Sequence, residues 1–214
     1  MSWVDKLERR YGRYGIPNLT SILVVCQAAV WAVIWFVNQN VWQLLMLNRS
    51  MLLRGQLWRL VTFLALPTST DAFSFLLGAY FLWFIGSALE QHWGDFRYTL
   101  YLLLGTAGCI LAALITGGCG NGYLYASLFL AFAMRFPEQQ LLLFFVLPIK
   151  AKWLGAADGV LLALALITSG WAGRVQILLS LLGFVLFFGG DLLRDLRARY
   201  RRAQWRRQNR NNWR

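Results

Sequence analysis

Phe81-Leu82-Trp83-Phe84-Ile85-Gly86-Ser87-Ala88-Leu89-Glu90, followed by Gln91-His92-Trp93-Gly94-Asp95, closes an uncharged run that begins at Ala72. A helix of about 20 apolar residues crosses the hydrocarbon of a bilayer. Ala72 to Leu89 therefore reads as a membrane span, and the polar turn from Glu90 to Asp95 marks where the chain leaves the apolar phase. His92, the single histidine of the chain, reads as a solvated residue of that turn.

The pattern repeats on both sides. Leu19–Val37 and Tyr98–Thr116 are uncharged and long enough to span. Trp31 and Trp35, four apart on one face, serve as belt anchors or packing residues. Tyr123–Phe136 is a shorter span, stopped by Pro137, whose ring and missing donor break a helix. Trp153–Thr168 and Val175–Gly190 complete six. Composition agrees: 58% of residues are hydrophobic and 14% charged, whereas soluble domains carry about a quarter charged. The expected fold class is an all-α membrane protein, a bundle of six transmembrane helices.

The connections have their own character. Ser2–Tyr14 is charged and aromatic and reads as a short interfacial helix ending at Gly15-Ile16-Pro17, with Asn18 or Thr20 placed to cap the next helix. Asn38–Pro67 is apolar but broken by Asn48, Arg49, Arg54 and Arg59. It is expected to lie in the interface or outer leaflet, packed on protein. Gly117-Gly118-Cys119-Gly120-Asn121-Gly122 reads as a flexible turn. Leu141–Ile149, bounded by Pro148, Lys150 and Lys152, is too short to span and reads as re-entrant or interfacial.

Charge sets the expected orientation. The net charge is +12, and nine of the 21 Lys and Arg residues fall between Arg194 and Arg214. With six spans and both termini inside, 17 basic residues lie inside and Arg49, Arg54, Arg59 and Arg174 outside, as the positive-inside rule requires. The expected division is a cytosolic segment 1–18, a membrane domain 19–191 and a basic cytosolic tail 192–214, in a bacterial inner membrane. The tail suits anionic lipid headgroups, and nucleic acid is not an expected partner. The charged start and the long run after it do not suit a cleavable signal, so the first span is expected to stay as an anchor. Cys26, Cys109 and Cys119 form neither a disulfide framework nor a zinc motif. No metal or cofactor is expected.

Several segments together resemble the rhomboid family of intramembrane serine proteases. Gly55-Gln56-Leu57-Trp58-Arg59-Leu60-Val61-Thr62 is similar to that family's first-loop segment with its Trp-Arg pair. Phe81–Glu90 with Trp93-Gly94 resembles the end of its second span and the turn after it. Phe136-Pro137 and Leu147-Pro148-Ile149-Lys150-Ala151-Lys152-Trp153 resemble a stretch common in bacterial members. The agreement runs over roughly residues 19–191. It implies a compact six-helix bundle with a membrane-associated first loop and a fourth helix that starts in mid-membrane. Trp58, Arg59, Glu90 and Gly94 would then be scaffold residues, with Glu90 bonded to backbone or to Arg97.

Catalysis in that family needs a serine on the fourth helix and a histidine on the sixth, because a hydroxyl becomes a nucleophile only when a base takes its proton. Aligning from Phe136-Pro137 puts Gly122 or Asn121 at the serine position. Taking Gly183 as that family's helix-packing glycine puts Gln176 at the histidine position, and another frame puts Ser180 there. The family's two oxyanion side chains fall on Ser74 and Gly78, and glycine has no side chain to donate. Cys119, in Gly117-Gly118-Cys119-Gly120, is an outside candidate for the nucleophile, and Ser127 lies more than a turn deeper.

The resemblance thus implies a pseudoprotease that binds a client's transmembrane helix between its second and fifth spans and near its first loop, without cutting it. Asn121, Gly122 and Gln176 would then line one cavity. The alternatives are an endopeptidase with a rearranged site, or a small transporter or channel. Asp158, ionisable within an apolar span, is a functional-site candidate, or else meets Lys150, Lys152 or water near the inner end.

Overall fold

Lipid offers no hydrogen bonds to a backbone, so uncharged runs of this length fold as helices. The computed structural model describes residues 3–38, 40–143 and 147–189. It begins with α1 (Trp3–Tyr11) and a 3-10 turn at Gly12–Tyr14, followed by α2 (Leu19–Phe36). The first loop then folds as α3 (Val41–Leu45), β1 (Leu47–Asn48), α4 (Arg49–Leu52), α5 (Arg59–Thr62) and a 3-10 turn at Phe63–Ala65. Next come α6 (Ala72–Trp93), α7 (Asp95–Thr116), β2 (Gly118–Cys119) and α8 (Gly122–Arg135). A hairpin of β3 (Gln140–Leu143) and β4 (Leu147–Lys150) leads to α9 (Ala151–Thr168) and α10 (Trp171–Ser180). A last helix, α11 (Leu182–Gly189), continues α10 after a bend of 48°.

Four helices, α2, α6, α7 and α9, are each long and apolar enough to cross a membrane, and the bent pair α10–α11 makes a fifth. The remaining element of the six-helix plan, α8, has 14 residues and reaches only about 21 Å, less than the hydrocarbon thickness of about 30 Å. The helices alternate in direction. Glu90 of α6 meets the start of α2, while Trp35 near the end of α2 donates to the Thr70 carbonyl just before α6. These contacts define a Glu90 end and a Thr70 end of the bundle.

The structure corrects several local expectations. The second span does not stop at Leu89: α6 runs to Trp93, so His92 sits in the last helical turn rather than in a loop. Gly94 alone makes the break, with φ +80, a conformation that side chains other than glycine's resist. The glycine-rich turn is not free, because Leu47 pairs with Cys119 and Asn48 with Gly118 in an antiparallel ladder. The strands either side of residues 144–146 pair antiparallel, Gln140 with Lys150 and Leu143 with Leu147, and in keeping with the expectation the described residues here form no span. The strand pair is tied to α9 by Glu138, which takes Lys150 at 2.7 Å and Lys152 at 2.6 Å. The two ammonium groups, Lys150 first, hold the Glu138 carboxyl down at about 2. The basic tail, with its expected lipid contact, lies outside the described residues.

Two clusters fill the interior. One, toward the Glu90 end, joins Ile85 and Leu89 of α6, Tyr98 and Tyr101 of α7, and Leu128 and Phe132 of α8. The other, toward the Thr70 end, sets Leu47 and Phe63 of the first loop against Cys109 and Ala112 of α7 and Leu124 of α8. Close approach of helices substitutes for the hydrophobic drive that lipid removes. A Cβ on Gly86 would sit 2.5 Å from Thr20 Cγ2 and 2.7 Å from the Tyr98 hydroxyl. A Cβ on Gly108 would collide with the Leu179 carbonyl oxygen of α10. That oxygen is main chain and cannot swing aside. Gly108→Leu is therefore expected to destabilise the bundle by about 1–3 kcal/mol or more, read as a lowered thermal midpoint in detergent.

Candidate functional site

Arg59 shows how the first loop is held. It is 3% exposed despite its charge. Its Nη1 donates to the carbonyls of Gln43 at 2.7 Å and Met46 at 2.6 Å, and its Nε to Gln56 Oε1 at 2.7 Å. Carbonyls at a helix end lack intrahelical partners, and here a guanidinium, with donors in a fixed fork, supplies them. The neighbouring Trp58 points the other way and is 54% exposed, as are Leu57 and Val61 to a greater degree. The loop is therefore anchored by a buried cation and turns an apolar face outward.

Glu90 performs the matching task at the start of α2. Its Oε1 accepts from the Leu19 N–H at 2.7 Å and its Oε2 from the Thr20 N–H at 3.3 Å. Negative charge at a helix N-terminus is favourable. Neither local candidate caps this helix: Asn18 takes a left-handed φ of 53 and makes no side-chain cap, and the Thr20 hydroxyl donates to Tyr98 at 2.8 Å. A carboxylate 70 residues away does the work, and Arg97 pairs with Glu8 instead of Glu90.

The positions matched to the protease dyad converge where the first loop meets α7, α8 and α10. Asn121, buried just before α8, donates to the carbonyls of Phe63 at 3.1 Å and Leu66 at 2.8 Å. Gln176 of α10 donates to the Gly118 carbonyl at 2.6 Å and to the Thr116 hydroxyl at 3.1 Å. Ser180 is fully buried, its Oγ 3.3 Å from Cys109 Sγ and 3.9 Å from Cys119 Sγ. Gly122 opens α8, and a Cβ there would meet open space. The amides of Asn121 and Gln176 are thus occupied in holding loop carbonyls. Of the three residues expected to line one cavity, Gly122 lines one of 360 Å³ together with Gly120, Tyr123 and Asp158.

The other candidates lie apart. Ser74 is exposed, and its N–H is bonded to Asp71 Oδ2 at 2.9 Å. That bond, with one from the Ser74 hydroxyl, holds the Asp71 carboxyl below its usual range. Gly78 lines a cavity of 250 Å³ with Gln27, Phe81, Tyr125 and Asp158. The Ser127 hydroxyl is buried, donating to the Leu124 carbonyl at 2.7 Å and accepting from Tyr101 at 3.0 Å. His92 accepts from Arg135 and packs edge-on against Phe136. It sits before α7, while Cys119, Asn121 and Gly122 follow that helix. Twenty-two residues of helix separate the two ends by about 33 Å. Among the described residues, no group of three or more His, Cys, Asp or Glu side chains is placed to hold a metal.

One feature the sequence does not reveal is that Asn121 and Gln176 each brace backbone carbonyls. Both were marked by alignment to catalytic positions, and their amides gave no hint of the carbonyls they would meet.

Comparison with known proteins gives one match. The sequence model of the Der1-like family matches residues 16–196. No curated protein and no solved structure matches the chain.

Asn121→Ala removes the side-chain donor from the Leu66 carbonyl and leaves the Phe63 carbonyl with only the Leu66 N–H at 3.3 Å, and is expected to cost about 1–3 kcal/mol. Hydrogen exchange read by mass spectrometry checks this: exchange in the first loop rises, while exchange in α9 stays at the parent level.

Proposed function

The chain belongs to the Der1-like family, an integral multi-pass group within the rhomboid-like superfamily, and from that premise we propose that it is a pseudoprotease. It receives the transmembrane helix of a client protein at the side of the bundle and does not cleave it. The observation that carries this reading is the use made of the dyad positions. Asn121 and Gln176 spend their amide donors on backbone carbonyls of the first loop and the turn beside it. An amide cannot serve as a general base at neutral pH. The nearest thiol, Cys119, faces Ser180 rather than a base.

The retained scaffold supports the binding half of the reading. The bundle keeps its loop anchored by Arg59 and its second span tied to α2 by Glu90, while α6 and α9 scarcely touch and both pack on α8. A cavity of 250 Å³ lies between α6 and α9, lined by Gly78, Phe81 and Leu82 of α6 and Asp158 of α9, and this is where a client helix would enter. The distribution of Lys and Arg supports a reading with both termini in the cytoplasm, and a bacterial inner membrane is part of the same proposal. The basic tail adds attraction to anionic lipids.

Purified protein in liposomes, mixed with a transmembrane reporter, tests both halves. The expected outcome is an intact reporter that co-purifies with the protein. Cleavage by the parent that disappears in a Cys119→Ala, Ser127→Ala double variant would overturn the reading and identify a protease with a rearranged site.

A further inference from the structure

Nearly every buried polar group of this bundle has a partner, and Asp158 is an exception. It is the eighth residue of α9, about 10 Å along the helix from its start. Its Oδ2 is shut off from solvent, and no donor among the described residues reaches it. The nearby cations are engaged elsewhere. Lys150 and Lys152 hold Glu138, Arg135 donates to His92, and Arg174 donates to carbonyls at the far end of α9. The expected contact of Asp158 with Lys150 or Lys152 is therefore not made.

The surroundings of Asp158 are open rather than filled. It lines two cavities, of 360 and 250 Å³, which share Ala126 of α8 as well. The larger is bounded by Gly122, Leu161 and Leu162, the smaller by Gly78, Phe81 and Leu82. Ala126 is small, so the floor of the gap between α6 and α9 is low beside the carboxylate, while the place of a Cβ on Gly78 is taken by Thr68, whose Oγ1 lies 2.9 Å from it. The smaller cavity also has Gln27, Thr68 and Tyr125 in its walls, among apolar side chains. A charge at membrane depth is costly unless a partner meets it, and among the described residues no Lys or Arg lines either cavity.

From this juxtaposition we infer that the groove between α6 and α9 selects a client transmembrane helix carrying a lysine or arginine near its middle, whose cation pairs with Asp158. The inference rests on the docking reading given above and names its substrate class. Charge complementarity identifies the occupant. A wholly apolar helix would bury the carboxylate without a partner, whereas a basic one removes two intramembrane charges at once. A second copy of this chain does not fit. Its described spans carry Lys and Arg only within about a turn of their ends, at Arg97, Arg135, Lys152 and Arg174.

The test uses the full chain in liposomes with a photo-crosslinking residue in place of Leu161, which is 63% exposed beside the groove. Single-span peptides of one length are offered, with Leu, Lys, Arg or Glu at the centre. The Lys and Arg peptides are expected to crosslink about tenfold more than the Leu peptide, the scale of an interhelical polar contact in lipid, and the Glu peptide least. Asp158→Asn, nearly isosteric, should bring the Lys peptide down to the Leu level, and Asp158→Lys should reverse the order of Lys and Glu. Equal crosslinking of Leu and Lys peptides would overturn the charge inference and leave the docking reading standing. A Lys preference that survives Asp158→Asn would overturn it as well. Absence of crosslinking by any peptide would overturn both.

Discussion

A loop can lie at membrane depth only if protein answers its backbone polar groups, and the first loop of this chain is organised by that requirement. Its carbonyls at Gln43 and Met46 are met by Arg59, those at Phe63 and Leu66 by Asn121. Its strand Leu47–Asn48 pairs with Gly118–Cys119, and the Arg49 N–H donates to the Gly117 carbonyl at 2.9 Å. These contacts come from α5, α7, the turn after it and the start of α8. Once made, they fix where α8 begins. Starting on this two-stranded ladder, α8 runs for only 14 residues. The short fourth span and the folded loop are one solution to one backbone problem.

The same accounting separates scaffold from chemistry. In a bundle of this plan, the ends of α7, α8 and α10 meet under the loop. Whatever side chains stand there face unsatisfied carbonyls first. Asn121 and Gln176 are donors of the right length, and the structure uses them as such. A serine and histidine facing each other would contribute less to the loop and more to a reaction. The fold does not need them, because fold and function are separable at such positions.

Much of the architecture was legible in the sequence because lipid makes the code simple. Length without charge gives a span, and the runs at Leu19, Ala72, Tyr98 and Trp153 appear as helices within a few residues of where hydropathy puts them. What hydropathy cannot see is local continuation. Glu90, Gln91 and His92 look like a turn because they are polar, yet nothing in them breaks a helix, and only Gly94 does. The cap of α2 was illegible for a different reason. Local rules point to Asn18 or Thr20, whereas the acceptor comes from α6 across the bundle. The glycine-rich turn misled in the same way, since its freedom is removed by a strand in a loop 70 residues earlier. At the candidate site, alignment located Asn121 and Gln176, but their partners were carbonyls, which no pattern of side chains reveals.

Asp158 gains its meaning against that background. A chain that recruits a distant carboxylate for two N–H groups and a buried guanidinium for two carbonyls does not lack the means to pair a carboxylate. Leaving one unpaired on a gap floored by Ala126 is costly in the empty state. Such a cost is tolerated where an arriving partner removes it, because the binding energy then depends on what that partner carries. An apolar groove alone would accept many helices in a bilayer, since lipid and leucine are nearly equivalent surroundings. A single uncompensated charge at depth is what gives such a groove a basis for choosing among them.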